Sequence, residues 1–299
     1  MSTRIGIIGG TGIGERIRDE FHPEDARTAV VDTPFGKPSA DVMLATIDTG
    51  TGPVQVAVLP RHGEGHRLPP HRVPYRANIY AMKSLGVTHL LATSACGSLR
   101  EHIHPGSLAI PDQVIDRTMH RARTFFDDLA VHVEFAEPFC PLLRQAVLHA
   151  GRTLEGVEVH DHATMMVMEG PAFSTRAESE MHRTLGADLI AMTAMPEARL
   201  AREAEIAYAL IALPTDYDCW RPKRAQDDAS LLTEIRQHLV EAGDAAFALI
   251  RAVLRDAHTI AEHPSPAHRA LDHAIWTARD VIDADTRKEL GVLLDRALG

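Results

Sequence analysis

Residues 208–213 read YALIAL and run directly into PTDYDCW at 214–220. Six successive residues without a charge, closed by Pro214, read as a strand covered on both faces, the kind found inside a parallel or mixed sheet. Similar runs occur at 5–8, 41–47, 54–59, 88–95, 107–115, 164–168 and 188–192. Between them lie stretches of helical character: 74–86 starts with Pro74 and ends with Gly86, 141–154 is amphipathic, and 196–205 is rich in helix formers. Strands alternating with helices imply an α/β fold around one large sheet. From 227 to 255 apolar residues recur three and four apart, which predicts one long helix. A break at HPSPAH (263–268) then precedes one or two terminal helices. No repeat or low-complexity linker divides the chain, so a single domain over residues 1–299 is expected, with C-terminal helices from about 227.

A chain of 299 residues is long enough for a substantial core. Its 31 Lys and Arg against 41 Asp and Glu give a net charge of −10, opposite in sign to a general nucleic-acid or membrane-surface binder. Any anion must be held by a local site. Cys96, Cys140 and Cys219 are an odd number at wide spacing without a CxxC pair, which points to neither a disulfide framework nor a zinc site and fits a reducing cytoplasm. The start MSTRIGIIGG passes at once into a strand-like run, and no apolar stretch nears the roughly 18 residues of a membrane span. A soluble, unprocessed, cytoplasmic protein is expected.

Two acids, Asp216 and Asp218, close the strand at 208–213, where a solvated turn or a helix cap would be the ordinary explanation. Four other segments carry candidate chemistry. GIIGGTGIGE (6–15) is a strand running into glycines and Thr11, either a phosphate loop or a tight turn; Glu15 breaks the dinucleotide fingerprint and no Walker lysine follows. LPRHGEGHRLPPHRVPY (59–75) offers Arg61 as a planar charged fork and His62 as a donor. The alternatives there are an exposed basic loop, or zinc on His62, His66 and His71, although the prolines and glycines break any helix that would align those rings. ATSACGSLRE (92–101) places Ser94 and Ala95 at a strand end, an oxyanion turn or close packing of small residues, and the chain has no GxSxG elbow. EGPAFSTRAESE (169–180) and DLIAMTAMPEA (188–198) contribute Phe173 as a stacking or a core ring, Met192 as a core or ligand contact, and Thr193 as a helix cap or ligand.

In this order the segments IGIIGGTGI, VDTPFGKPS, PRHGEGH, YRANIYAMKSLGVTHLLATSACGSLRE, PGSLAIPDQVIDRT, AEPFCP, MEGPAFSTRAES and MPEARLAREAEIAYALIALPTDYDCW resemble the trimeric purine nucleoside phosphorylase family, and within it the branch acting on 5′-methylthioadenosine. The match spans about residues 4–220 and is weaker beyond. It implies a central mixed β-sheet, distorted and partly barrel-like, flanked by helices. It implies phosphorolysis of 5′-methylthioadenosine to adenine and 5-methylthioribose 1-phosphate, in purine and methionine salvage, with inorganic phosphate as co-substrate and neither cofactor nor metal. Carried over by position, phosphate falls on Thr11, Arg61, His62, Ser94, Ala95 and Thr193, the base on Phe173, Ser174, Asp216 and Asp218, and the sugar on Met192. His132 matches a histidine lent to the neighbouring subunit's 5′-group pocket, which implies a homotrimer. The helix after Asp227 should complete that pocket at Leu231, Leu232 or Ile235, with Leu232 preferred. The chain departs from the family in having Ser94 for Thr, Ala172 for Arg and Ala191 for Asn.

On this reading Asp216 protonates or hydrogen-bonds purine N7 and Asp218 accepts from the exocyclic amino group, while Arg61 and His62 hold phosphate beside the sugar. An Asn in the first acidic position marks the 6-oxopurine branch, so a phosphorylase of methylthioinosine or inosine is the alternative within the class. A non-catalytic nucleotide-binding module and a dinucleotide-dependent oxidoreductase are the alternatives outside it.

Overall fold

A computed structural model describes residues 4–10, 13–221 and 228–299; the side chains at 13–15, 18 and 228–236 lie outside that description. In chain order the strands are β1 (Arg4–Gly9), β2 (Arg27–Ala29), β3 (Val42–Asp48), β4 (Pro53–Pro60), β5 (Val87–Ser98), β6 (Leu108–Ala109), β7 (Gln113–Asp116), β8 (Val159–His160), β9 (Thr164–Val167), β10 (Leu189–Ala191) and β11 (Ala207–Asp216). The helices are α1 (Ile13–Phe21), α2 (Tyr75–Ser84), α3 (Pro141–Gly151), α4 (Arg176–Thr184), α5 (Ala194–Glu203), α6 (Asp228–Arg255), α7 (Ala257–Glu262), α8 (Ala284–Glu289) and α9 (Gly291–Leu298).

The run at 208–213 lies inside β11, and its side chains alternate between two cores. Tyr208, Leu210 and Ala212 face one, shared with Ile79 and Met82 of α2 and Ala198 and Leu200 of α5. Ala207, Ala209, Ile211 and Leu213 face the other, shared with Val147 of α3 and Leu249, Ile250 and Val253 of α6. A strand buried on both faces has no solvent side to mark with polar residues, which is why its sequence shows no alternation. Each large aliphatic side chain so buried contributes roughly 1.5–3 kcal/mol of transfer free energy.

One sheet runs β2-β3-β4-β1-β5-β10-β9-β7, and β11 branches from β5 to reach β6 and then β8. The fork is β5. Its length pairs in parallel with β1 and β11, while Gly97 and Ser98 at its end pair antiparallel with β10. This fork is the form the barrel-like distortion takes, and the sheet does not close. Helices pack on both faces, as an α/β domain requires.

The apolar run at 107–115 divides, because Pro111 has no N–H to continue a ladder: β6 joins the β11 branch and β7 pairs with β9. Helices α1, α4 and α7 and the short β2 and β8 add to the elements read from sequence. Cys96, Cys140 and Cys219 are all free thiols. Among the described residues no helix is long and apolar enough to cross a membrane.

Candidate active site

Strands β4, β1, β5 and β11 run parallel, so their carboxyl ends meet at one edge of the sheet. Ligands of α/β sheets bind at such edges. Here that edge carries Gly10 after β1, Arg61 after β4, Thr93–Gly97 in β5 and Thr215–Asp216 in β11, around a cavity of about 660 Å³. The same cavity is lined by His62, Phe173, Ser174, Met192, Thr193 and Asp218. Arg61 and Asp216, 155 positions apart in sequence (216 − 61), thus share one hollow.

Arg61 is 1 % exposed. Its Nε and Nη2 donate to Glu197 Oε2 and Oε1 at 2.7 and 2.8 Å, Nη1 donates to the Thr93 carbonyl at 2.7 Å, and Nη2 reaches the Ile8 carbonyl at 3.5 Å. The planar fork expected to face an anion is therefore taken up by Glu197. Of the five N–H groups of a guanidinium, these bonds leave one, on Nη1. Burial works against the Arg61 charge, but the Glu197 carboxylate beside it more than offsets this and raises its pKa above the ordinary arginine value. Glu197, 0 % exposed, also accepts from the Tyr208 hydroxyl at 2.9 Å. The sequence reading gave Glu197 no role; one acid in a helix-forming stretch carries no signal until the fold brings Arg61 to it.

His62 lies in the same wall, with Nδ1 2.7 Å from the Leu68 carbonyl. A carbonyl only accepts, so Nδ1 carries the proton. Burial lowers the pKa of His62 to about 4, and the neutral ring then offers Nε2 as an acceptor, where the sequence reading expected a donor. His62 and His66 stack at 4.1 Å, and among the described residues no group of three or more His, Cys, Asp or Glu side chains is placed to hold a metal ion. Ser94 and Thr193 meet hydroxyl to hydroxyl at 3.1 Å, both buried.

Asp216 Oδ1 accepts from the Asp218 backbone N–H at 2.6 Å, and Oδ2 from the Thr215 hydroxyl at 2.9 Å. Burial raises the Asp216 pKa, against the lowering effect of these two bonds and with the help of the nearby Asp218 charge. Burial likewise raises Asp218, whose Oδ2 accepts from the Ser179 hydroxyl of α4. Both acids crowd Gly97: a Cβ there would lie 3.3 Å from Asp216 Oδ1, 3.2 Å from Asp218 Cβ and 3.0 Å from Ile190. A Cβ at this position would push Ile190 and the two acids back by a few tenths of an ångström.

Phe173 is 78 % exposed at the cavity, which rules out the core-packing alternative. Met192 packs on Gly170, where a Cβ would come within 2.6 Å of its sulfur and where φ is +68°. Ala191 is buried and lines the cavity, whereas Ala172 is exposed. Leu239 and Val240 of α6 also line it, with Arg16 of α1 paired to Asp244 at 2.7 Å. His132 stands apart from the cavity, its ring 4.8 Å from Trp276, which is 73 % exposed. Thr11 and the side chain of Leu232 lie outside the described residues.

Residues 4–255 match the Phosphorylase superfamily. The chain belongs to that superfamily. Over nearly its full length it is 45% identical to the S-methyl-5′-thioadenosine phosphorylase of Geobacter sulfurreducens, covering 98% of this chain and 99% of that one. It is also 45% identical to the enzyme of that name from Chloroflexus aurantiacus, over 99% and 98% of the two chains. A methylthioadenosine phosphorylase from an antarctic soil metagenomic library superposes with a TM-score of 0.87 at 42% identity, covering 98% and 99%. A variant of the adenosine/methylthioadenosine phosphorylase of Schistosoma mansoni, in complex with methylthioadenosine, superposes with a TM-score of 0.75 at 34% identity, covering 93% and 100%.

Proposed function

We propose that this chain is a pentosyltransferase that phosphorolyses 5′-methylthioadenosine to adenine and 5-methylthioribose 1-phosphate, without a cofactor and with inorganic phosphate as co-substrate. One observation carries the reading: the anion-suited group of Arg61, His62, Ser94 and Thr193 lines the same cavity as Asp216, Asp218, Phe173 and Met192. Cleaving a glycosidic bond to a purine leaves positive charge on the ribose and negative charge on the base, and a single site must meet both.

Hydrogen phosphate lies against the Ser94 and Thr193 hydroxyls, the remaining Nη1 proton of Arg61 and the turn at Ala95, with Thr11 as a further donor. Its P–OH donates to His62 Nε2, so neutral His62 orients the dianion without removing its charge. Because Glu197 already balances Arg61, the dianion keeps enough charge to stabilise the oxocarbenium-like ribose and to attack C1′ at prepaid distance. On the base side Phe173 stacks on the purine, Ser174 borders it, and Met192 lies under the sugar. Asp216, held neutral more readily by burial, gives its proton or a hydrogen bond to N7, and Asp218 accepts from the 6-amino group. The apolar face of α6, with Leu232, receives the methylthio group, together with His132 from a neighbouring copy in a homotrimer. The whole chain forms one nucleoside phosphorylase domain, acting in the cytoplasm, in purine and methionine salvage.

The test is a panel of methylthioadenosine, adenosine, methylthioinosine and inosine, each with and without phosphate. The expected outcome is phosphate-dependent adenine release that is fastest from methylthioadenosine. Faster turnover of the two 6-oxo nucleosides, or base release that ignores phosphate, overturns the reading.

A further inference from the structure

The loop between β7 and α3 holds an arginine outside every segment discussed so far. The Arg121 side chain is 2% exposed, and its guanidinium bonds only to the protein. Nη1 donates to the carbonyls of Met192 and Met195 at 2.6 and 2.7 Å and reaches the Tyr75 hydroxyl at 3.1 Å. Nη2 donates to the Glu169 carbonyl at 2.7 Å and approaches that of Met168 at 3.5 Å, and Nε donates to Glu169 Oε1 at 2.9 Å. The other Glu169 oxygen caps the N–H groups of Met119 and His120, at 2.6 and 3.2 Å, which anchors the loop that presents Arg121.

These acceptors belong to three separate walls of the cavity. Met192 and Met195 bracket Thr193, whose hydroxyl meets Ser94. Met168 and Glu169 precede the turn that delivers Phe173 and Ser174. The Tyr75 hydroxyl donates onward to the Pro70 carbonyl at 2.9 Å, and Pro70 lines the cavity beyond His62. No N–H of Arg121 is left over for a ligand, so it cannot itself bind substrate.

We propose that Arg121 is the positioning residue of this site: one buried guanidinium fixes, through backbone carbonyls, the turn that carries the phosphate-side Thr193 and the turn that carries the base-side Phe173 and Ser174. The inference rests on the phosphorolytic reading above. Carbonyls spread around a planar fork set direction as well as distance, and an ammonium on a flexible stem has too few donors, in the wrong directions, to replace it. Loosening the fork therefore displaces the phosphate and nucleoside contacts together, although it touches neither ligand.

The experiment compares the parent protein with Arg121→Lys and Arg121→Ala, measuring KM for phosphate and for methylthioadenosine separately, phosphate affinity by calorimetry, and thermal unfolding. The expected result for folded Arg121→Lys is a fall in kcat/KM of about a hundredfold, the scale of an ångström-sized misplacement, carried by a rise in both KM values. Millimolar guanidinium should restore part of the activity of Arg121→Ala and leave the parent unaffected. If Arg121→Lys keeps either KM within about twofold of the parent, or loses only stability and kcat, the proposal is overturned. A parent that releases no adenine from methylthioadenosine would refute the phosphorolytic reading instead, and phosphate affinity in the same variants would still decide the role of Arg121.

Discussion

At the residue scale the site turns on how Asp216 is held. Its two oxygens accept from the Asp218 N–H and from the Thr215 hydroxyl, and that hydroxyl also has the Cys96 carbonyl within 3.3 Å. When Asp216 is ionised, Thr215 donates to it; when Asp216 is protonated on Oδ2, Thr215 accepts and turns its own proton to Cys96. The carboxyl is thus solvated in both states, which suits a group that must give up a proton and regain it. Asp216→Asn should depress turnover of aminopurine nucleosides far more than it weakens phosphate binding, as kinetics and calorimetry would show; equal loss of both would refute the assigned role. The same variant carries a stability prediction. Folding raises the Asp216 pKa, so the parent is penalised once pH rises above the unfolded value near 3.9, and increasingly until pH passes the folded value. Urea unfolding at neutral pH should find Asp216→Asn the more stable protein, with the difference vanishing below about pH 4. The pairing of two acids after an apolar strand was legible in the sequence. The Ser179 hydroxyl that orients Asp218 was not, because it arrives from another element, across 39 positions.

At the element scale, α5 contributes more to the site than its composition announced. Its first turn carries Glu197 beneath Arg61, in contact with Tyr208 of β11, so three elements converge on one buried ion pair. Removing one partner of a buried pair leaves the other charge uncompensated. Glu197→Gln should cost about 3–5 kcal/mol of stability in a denaturant titration and raise the phosphate KM, since one of the two bonds by which Glu197 orients the fork would be lost. A melting curve and a phosphate KM unchanged from the parent would contradict this account. Elements with strong period or continuous apolarity were legible: β1, β3, β4, β5, β11 and α6 lie where the pattern put them. Those set by position rather than pattern were not. The helix α4 begins at a Thr175–Glu178 capping box, both bonds of which form, yet the segment 169–180 is read from sequence only for its ligand contacts, with no helix assigned there. The short β2 and β8 have too few residues to show any period.

At the scale of the molecule, the proposed sharing of sites between copies can be tested directly. Leu239 and Val240 line the cavity yet are 44 % and 64 % exposed, while His132 and Trp276 lie together on the surface away from it. Exposed apolar patches of this kind are where a protein meets a partner, and in the proposed homotrimer both would be covered by neighbouring copies. If His132 completes the 5′-group pocket of a neighbour, a site takes Asp216 from one chain and His132 from the next. His132→Ala and Asp216→Asn proteins would each be impaired alone. Co-expressed in equal amounts, they would form mixed trimers in which a chain with intact Asp216 often sits beside one with intact His132. Random mixing in a closed ring makes roughly a quarter of the sites whole, from one-half for each requirement. Turnover of methylthioadenosine should therefore recover well above the average of the two separate variants, and sedimentation should give three copies per particle. Had His132 served its own chain, every site would carry one lesion whatever the mixture, and the co-expressed protein would be no more active than that average.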